Sequence, residues 1–124
     1  MQKPIPVDSV MHRDVVTIDV NSKISDAIDK MKKYGIGKIV VTIDDRPSYL
    51  LEEWRVFTID PNKTIKEVLD KFEPITTILS ETPIDEAKRL LSDRPAIVVL
   101  SRENNKMLGI VTIEDFIGYL KKSI

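Results

Sequence analysis

Toward its C-terminal end the chain carries Gly109-Ile110-Val111-Thr112-Ile113-Glu114-Asp115, a β-branched run that turns into an apolar-periodic helix through a hydroxyl and a carboxylate. A hydroxyl and a carboxylate three residues apart can do two kinds of work. An ionised Asp115 can accept hydrogen bonds from both hydroxyls of a ribose, each charged bond contributing about 1.5–3 kcal/mol net. Thr112 adds a hydroxyl at a helix N-terminus, where free N–H groups and the helix dipole favour an anion such as a phosphate. Gly109 would let a ligand come close to the strand. The same residues also spell a capping box, in which the two side chains only satisfy the first N–H groups of the helix. Both readings stand at this level.

Rival chemistries have little support. There is no cysteine, hence no disulfide framework, thiolate metal site or cysteine nucleophile. His12 is the single histidine, which leaves a histidine-rich metal site or a serine–histidine relay without partners. His12-Arg13-Asp14 imitates a kinase triplet, but no glycine-rich loop accompanies it and the chain is far too short. Asp44-Asp45 and Glu52-Glu53 read as turn and strand-surface charges, with nothing to place them across a cleft. The 19 basic and 20 acidic residues are mixed along the chain, so the basic stripe of a nucleic-acid binder is missing. Trp54 and Phe57 accordingly read as core or interface residues rather than a base-stacking platform. The opening Met1-Gln2-Lys3-Pro4-Ile5-Pro6 has no apolar signal core, and no apolar run approaches membrane-spanning length. A soluble, cytoplasmic, non-enzymatic protein is expected, with no catalytic residues, catalytic cofactor, metal or membrane partner.

The elements that must position Thr112 and Asp115 occur twice. Sliding the chain by 58 lays Ile39-Val40-Val41 on Ile97-Val98-Val99, Tyr49-Leu50-Leu51 on Met107-Leu108-Gly109, Trp54 on Thr112 and Phe57 on Asp115. Only the second copy then keeps the hydroxyl and carboxylate; the first has aromatics there. Each copy reads as a short helical turn (Val7 to Met11; Ile65 to Leu69), an extended run (Val15 to Ile18; Ile75 to Ile78) and an amphipathic helix. Ile24, Ala27, Ile28, Met31 and Tyr34 form one buried stripe, with Ser22 as N-cap and Gly35 as the stop. In the second copy Thr82-Pro83 supplies cap and first helical residue, and Ile84, Ala87, Leu90 and Leu91 the stripe. Two strands follow: Ile39 to Ile43 and Tyr49 to Phe57, then Ile97 to Leu100 and Met107 to Val111. The near-continuous apolar runs predict strands buried on both faces. A helix over 114–122 closes the chain. Copies of about 60 residues are too small to be secure alone, so the two are expected to pack together.

Val10-Met11 ahead of Val15-Val16-Thr17-Ile18, the helix ending Tyr34-Gly35-Ile36, Ile39-Val40-Val41 and the Gly109-to-Phe116 run together resemble a tandem of cystathionine beta-synthase (CBS) domains, or Bateman module. The resemblance covers nearly the whole chain. It implies an α/β (α+β) fold of two β-α-β-β-α units, 1–62 and 63–124, packed around a pseudo-twofold axis, and commonly a homodimer. It implies a sensor or regulatory module that binds an adenosine-containing ligand such as AMP, ADP, ATP or S-adenosylmethionine and passes that state to a regulated protein. Carried over by position, the ligand residues are Thr112 and Asp115 for the ribose and helix start, and Lys38 for the phosphate. Thr76 and Arg94-Pro95-Ala96 would lie along the adenine. Ala96 stands where the first copy has Lys38, so all three signals favour the second copy's cleft. The plain alternatives are a solvated Lys38 and simple packing for Pro95 and Ala96. The alternative function is a ligand-free dimerisation or protein-interaction module.

Overall fold

The computed structural model describes residues 3–123, apart from the side chains of 121–123. It is a mixed α/β structure in which the described residues form seven strands and four α-helices. The chain divides into two compact units, Val16–Ile75 and the pair Met1–Val15 with Thr76–Ile124.

In the unit Val16–Ile75, β1 (Thr17–Asp19) runs parallel to β2 (Lys38–Ile43). Helix α1 (Ile24–Tyr34) makes the crossover, as a parallel pair requires. β2 turns back into β3 (Arg46–Glu52), and β4 (Glu73–Pro74) adds to the far edge, giving the order β1-β2-β3-β4. Most of the α1 stripe foreseen from its spacing is buried, with Ile24, Ala27 and Met31 against Ile39, Val41 and Leu51 and Ile28 packed beside them. Tyr34, expected in the same stripe, is instead 52% exposed, with the Lys33 ammonium over its ring. Its ends differ in part from the sequence reading. Asp26 reaches back to accept the Lys23 N–H at 3.0 Å, while Ser22, one residue too early to cap, uses its carbonyl to hold the Ile65 N–H. Gly35 does stop the helix, at φ 63° and ψ 40°, a conformation open to glycine at little cost.

The other unit repeats the plan. β5 (Thr76–Leu79) is parallel to β6 (Ile97–Leu100), with α3 (Ile84–Leu90) between them. β6 is antiparallel to β7 (Met107–Val111), which leads into α4 (Ile113–Ser123). Pro83 is the extended cap residue of α3 rather than its first helical residue, because the Thr82 carbonyl ahead of it accepts the Val7 N–H at 2.7 Å. Ala87, Leu91, Ile97, Val99, Val111 and Phe116 form the core, together with Val7 and Met11 from the start of the chain.

The unit boundaries therefore do not follow the repeat. The Val7–Ser9 turn docks on the second copy just as the Lys66–Lys71 turn docks on the first. Val7 and Asp8 donate backbone bonds to Thr82 and Ser80; Ile65 and Lys66 donate theirs to Ser22 and Val20. His12 exchanges both backbone bonds with Ile110, covering the open edge of β7 as β4 covers that of β3. The segment leading into each copy serves the other one. A boundary at 62/63 marks where the pattern restarts, not where the packing divides.

Candidate functional site

The strand pairing revises the alignment of the two copies. Val41 faces Tyr49 in the first hairpin and Val99 faces Gly109 in the second, so the second is two residues longer. Beyond the hairpin the slide is 60, not 58. Glu52 takes the position of Thr112, and Arg55 that of Asp115. Burial agrees, since Val56 and Phe116 are the inward residues of α2 (Glu53–Val56) and α4. The aromatics do not stand in the site positions: Trp54 corresponds to Glu114 and Phe57 to Ile117. β3 likewise ends at Glu52 instead of running on to Phe57, because α2 begins there.

The two copies still differ in chemistry, through another residue. Where the second offers a carboxylate, the first has the Arg55 guanidinium. It donates to Glu73 at 3.0 Å and to the Lys71 carbonyl at 3.1 Å, with Glu52 at 4.0 Å. A cation tied to the connecting segment cannot accept hydrogen bonds from a sugar.

In the second copy, Thr112 is the residue between β7 and α4. Its backbone N–H donates to Asp115 Oδ2 at 2.7 Å, and its hydroxyl lies 3.3 Å from the same oxygen. This is the backward half of a capping box, and it holds the carboxylate over the first turn of α4. Oδ1 takes no such bond from the described residues. Thr112 and Asp115 are both half-buried, reachable by a ligand yet partly shielded from water.

The sheet register sets their neighbours. Thr76 is opposite Ile97 and Ile97 opposite Val111, so Thr76, Ala96 and Thr112 lie at one end of the β5-β6-β7 sheet. Ala96 is buried, Thr76 half-buried and Pro95 exposed. Arg94 pairs with its neighbour Asp93 at 3.0 Å. Six of the seven site residues expected from sequence thus belong to one compact unit. Lys38 belongs to the other, at the start of β2 opposite Glu52, and makes no ion pair among the described residues.

Gly109 has a different duty from the one expected. A Cβ there would stand 2.6 Å from Met11 Sδ and 2.7 Å from the His12 carbonyl oxygen. The missing side chain makes room for the chain's own leading segment. Two carboxyls titrate below their ordinary range, Glu67 through bonds from the Thr64 N–H and hydroxyl, and Glu81 through its own backbone N–H and Arg102; both lie outside this site. Among the described residues no cluster of metal-ligating side chains occurs, and no helix is long and apolar enough to cross a membrane.

A unit of one parallel and one antiparallel strand pairing, built twice and with a hydroxyl–carboxylate helix start in one copy, defines a tandem α/β module. The chain belongs to the CBS domain family, which matches residues 7–54 and 72–122 and makes it a CBS domain pair. It is similar to an uncharacterized protein of Methanopyrus kandleri, 25% identical over 122 residues, covering 93% of this chain and 62% of that protein. The chain thus spans less than two thirds of that relative. A CBS domain protein of Pyrobaculum aerophilum complexed with AMP has the same fold, with a TM-score of 0.77 at 19% identity, covering 90% of this chain and 89% of the other. So has the cytosolic domain of the Mg2+ channel MgtE in complex with ATP, at TM-score 0.74 and 19% identity, covering 88% and 46%.

Proposed function

We propose that the chain is a non-enzymatic regulatory module of the cytoplasm that binds one adenosine-containing nucleotide, in its second CBS unit. The observation that carries this reading is the Asp115 carboxylate, held by Thr112 at the start of α4 beside Thr76 and Ala96 on one sheet end. Oδ1 accepts one ribose hydroxyl and Oδ2 shares the second. The Thr112 hydroxyl and the first turn of α4 face the phosphate end. Lys38 is assigned to the phosphate on the family resemblance alone. Thr76 and the Arg94-Pro95-Ala96 stretch lie along the adenine. Two fold relatives complexed with AMP and with ATP support a nucleotide in this class of module. The chain works as a homodimer and passes its ligand state to a regulated protein.

A thermal-shift panel of AMP, ADP, ATP, NAD, S-adenosylmethionine and methylthioadenosine tests the reading. A ligand that binds only the folded state stabilises it by about 2.7 kcal/mol at 100 times its dissociation constant. At least one adenine ligand should raise the melting temperature by several degrees. One observation favours a second reading: Asp115 is already satisfied in part as a helix cap. A flat panel would favour that reading, a ligand-free protein-interaction module.

A further inference from the structure

Three features at one end of the β5-β6-β7 sheet could attract a phosphate, and each already faces a carboxylate of its own unit. The first is the backbone at the start of α4. The Thr112 N–H donates to Asp115 Oδ2 at 2.7 Å, and the Thr112 hydroxyl lies 3.3 Å from the same oxygen. The second is the positive end of the α4 dipole, whose first turn carries both Glu114 and Asp115. Carboxylates in a first turn are favoured by the dipole and offset the field that would otherwise draw an anion. The third is Arg94, two residues ahead of Ala96 and so within about 7 Å of it along the chain. Its guanidinium donates to Asp93 Oδ1 at 3.0 Å.

Other cations of the unit are engaged or lead elsewhere. Arg89, in the last turn of α3, donates to Glu86, and Arg102 donates to Glu81. Lys88 is exposed, where solvent and salt screen it. His12 pairs with Ile110 in antiparallel sense, which carries the next residue, Arg13, away from Thr112. The Asp93 and Arg94 side chains are 73% and 40% exposed, and an exposed pair of this kind adds little to folding. What it does is turn the guanidinium toward Asp93 and cancel its charge. Phosphate brought to this sheet end therefore meets the Asp115 carboxylate, and each further phosphate adds repulsion of the same sign. Lys38, the one cation assigned to the phosphate, balances a single charge.

We propose that the second unit's site selects its adenosine ligand by low phosphate charge, taking adenosine or its monophosphate in preference to the di- and triphosphates, and that Asp93 sets this preference by holding Arg94. The inference rests on the nucleotide reading above and narrows its ligand class. Asp115 is fixed for the ribose by its bonds from Thr112, so its charge stays in place as the phosphate chain lengthens. A guanidinium grips phosphate oxygens two at a time. Here the Asp93 carboxylate takes that grip instead.

Calorimetric titration of the full chain with adenosine, AMP, ADP and ATP, in EDTA to exclude metal–nucleotide complexes, tests this on the parent and on Asp93→Asn. Asp93 is exposed, so the variant should fold and melt as the parent does. In the parent, affinity should fall at least roughly tenfold from AMP to ATP, which corresponds to about 1.4 kcal/mol. Asp93→Asn should narrow that gap roughly threefold by strengthening ATP, in keeping with the modest strength of exposed pairs, and leave adenosine unchanged. Adding Arg94→Gln should cancel the gain. A purely structural role for Asp93 would move all four ligands together. ATP binding as tightly as AMP in the parent, or an AMP-to-ATP ratio that Asp93→Asn does not change, overturns the charge selection and leaves the adenosine site standing. If none of the four binds, the selection falls, and the adenosine site falls with it when the wider thermal-shift panel is flat as well.

Discussion

Gly109 shows how a single residue can be read correctly as a close approach and still be given the wrong neighbour. Glycine in a strand signals that something comes near, and the sequence reading supplied a ligand. The approaching group is the chain itself, at Met11 and His12. Met11 Sδ could yield, but the His12 carbonyl is fixed by its bond from the Ile110 N–H at 2.9 Å. Gly109→Ala should therefore destabilise the second unit by about 1–3 kcal/mol, the usual cost of overpacking, seen as a melting temperature lower by several degrees. If Gly109 instead cleared space only for a ligand, the variant would keep its stability and lose nucleotide affinity. The Thr112–Asp115 cap was legible in the sequence, although a ligand site would demand the same residue types at the same spacing. Only the structure shows Asp115 in the cap, through Oδ2.

Element by element, the periodic signals were dependable. The α1 stripe from Ile24 to Met31, the Gly35 stop and the apolar β2 and β6 runs are as the spacing predicts, while Tyr34 at the end of the stripe is exposed. What escaped was the length of the two hairpins. The Ile39-Val40-Val41 and Ile97-Val98-Val99 match anchored the slide at 58, but turn geometry sets the register beyond it. In the first hairpin Ile43 pairs with Arg46 across a two-residue turn, Asp44-Asp45, with φ of 51° and 64°. The second needs the longer 101–106 loop, so every later position shifts by two. Two consecutive non-glycine residues in the left-handed region are strained, by about 1–2 kcal/mol each and somewhat less for aspartate. Asp45→Gly should relieve part of this and raise stability by about 0.5–1 kcal/mol, measured as a higher urea midpoint with an unchanged slope. A lower midpoint would mean that the aspartate side chain holds the turn more firmly than its backbone strains it.

For the molecule as a whole, the exchange of leading segments could not be read from sequence, since each segment has the same local pattern whichever copy it joins. Its consequence is testable. Residues 1–15 put Val7 and Met11 into the second unit's core and tie it through Thr82, Ser80, Ile84 and Ile110. Deleting them removes two buried side chains, each worth about 2–5 kcal/mol, from a unit whose total stability is of that order. Hydrogen exchange on the shortened chain should show loss of protection over 76–123, with 16–75 retaining more of theirs. Uniform protection across both would show that the segment adds little to the unit it joins.

The central claim is a single nucleotide site per chain, set by Asp115, and calorimetric titration of the parent and the Asp115→Asn variant with the best ligand of the panel tests it most directly. Asparagine keeps the size and much of the capping capacity of aspartate but loses the charge. The parent should bind about one nucleotide per chain. The variant should melt within a few degrees of it and bind roughly ten- to a hundredfold more weakly, which corresponds to about 1.5–3 kcal/mol. Two equivalent sites per chain, or unchanged affinity in the variant, would contradict the account.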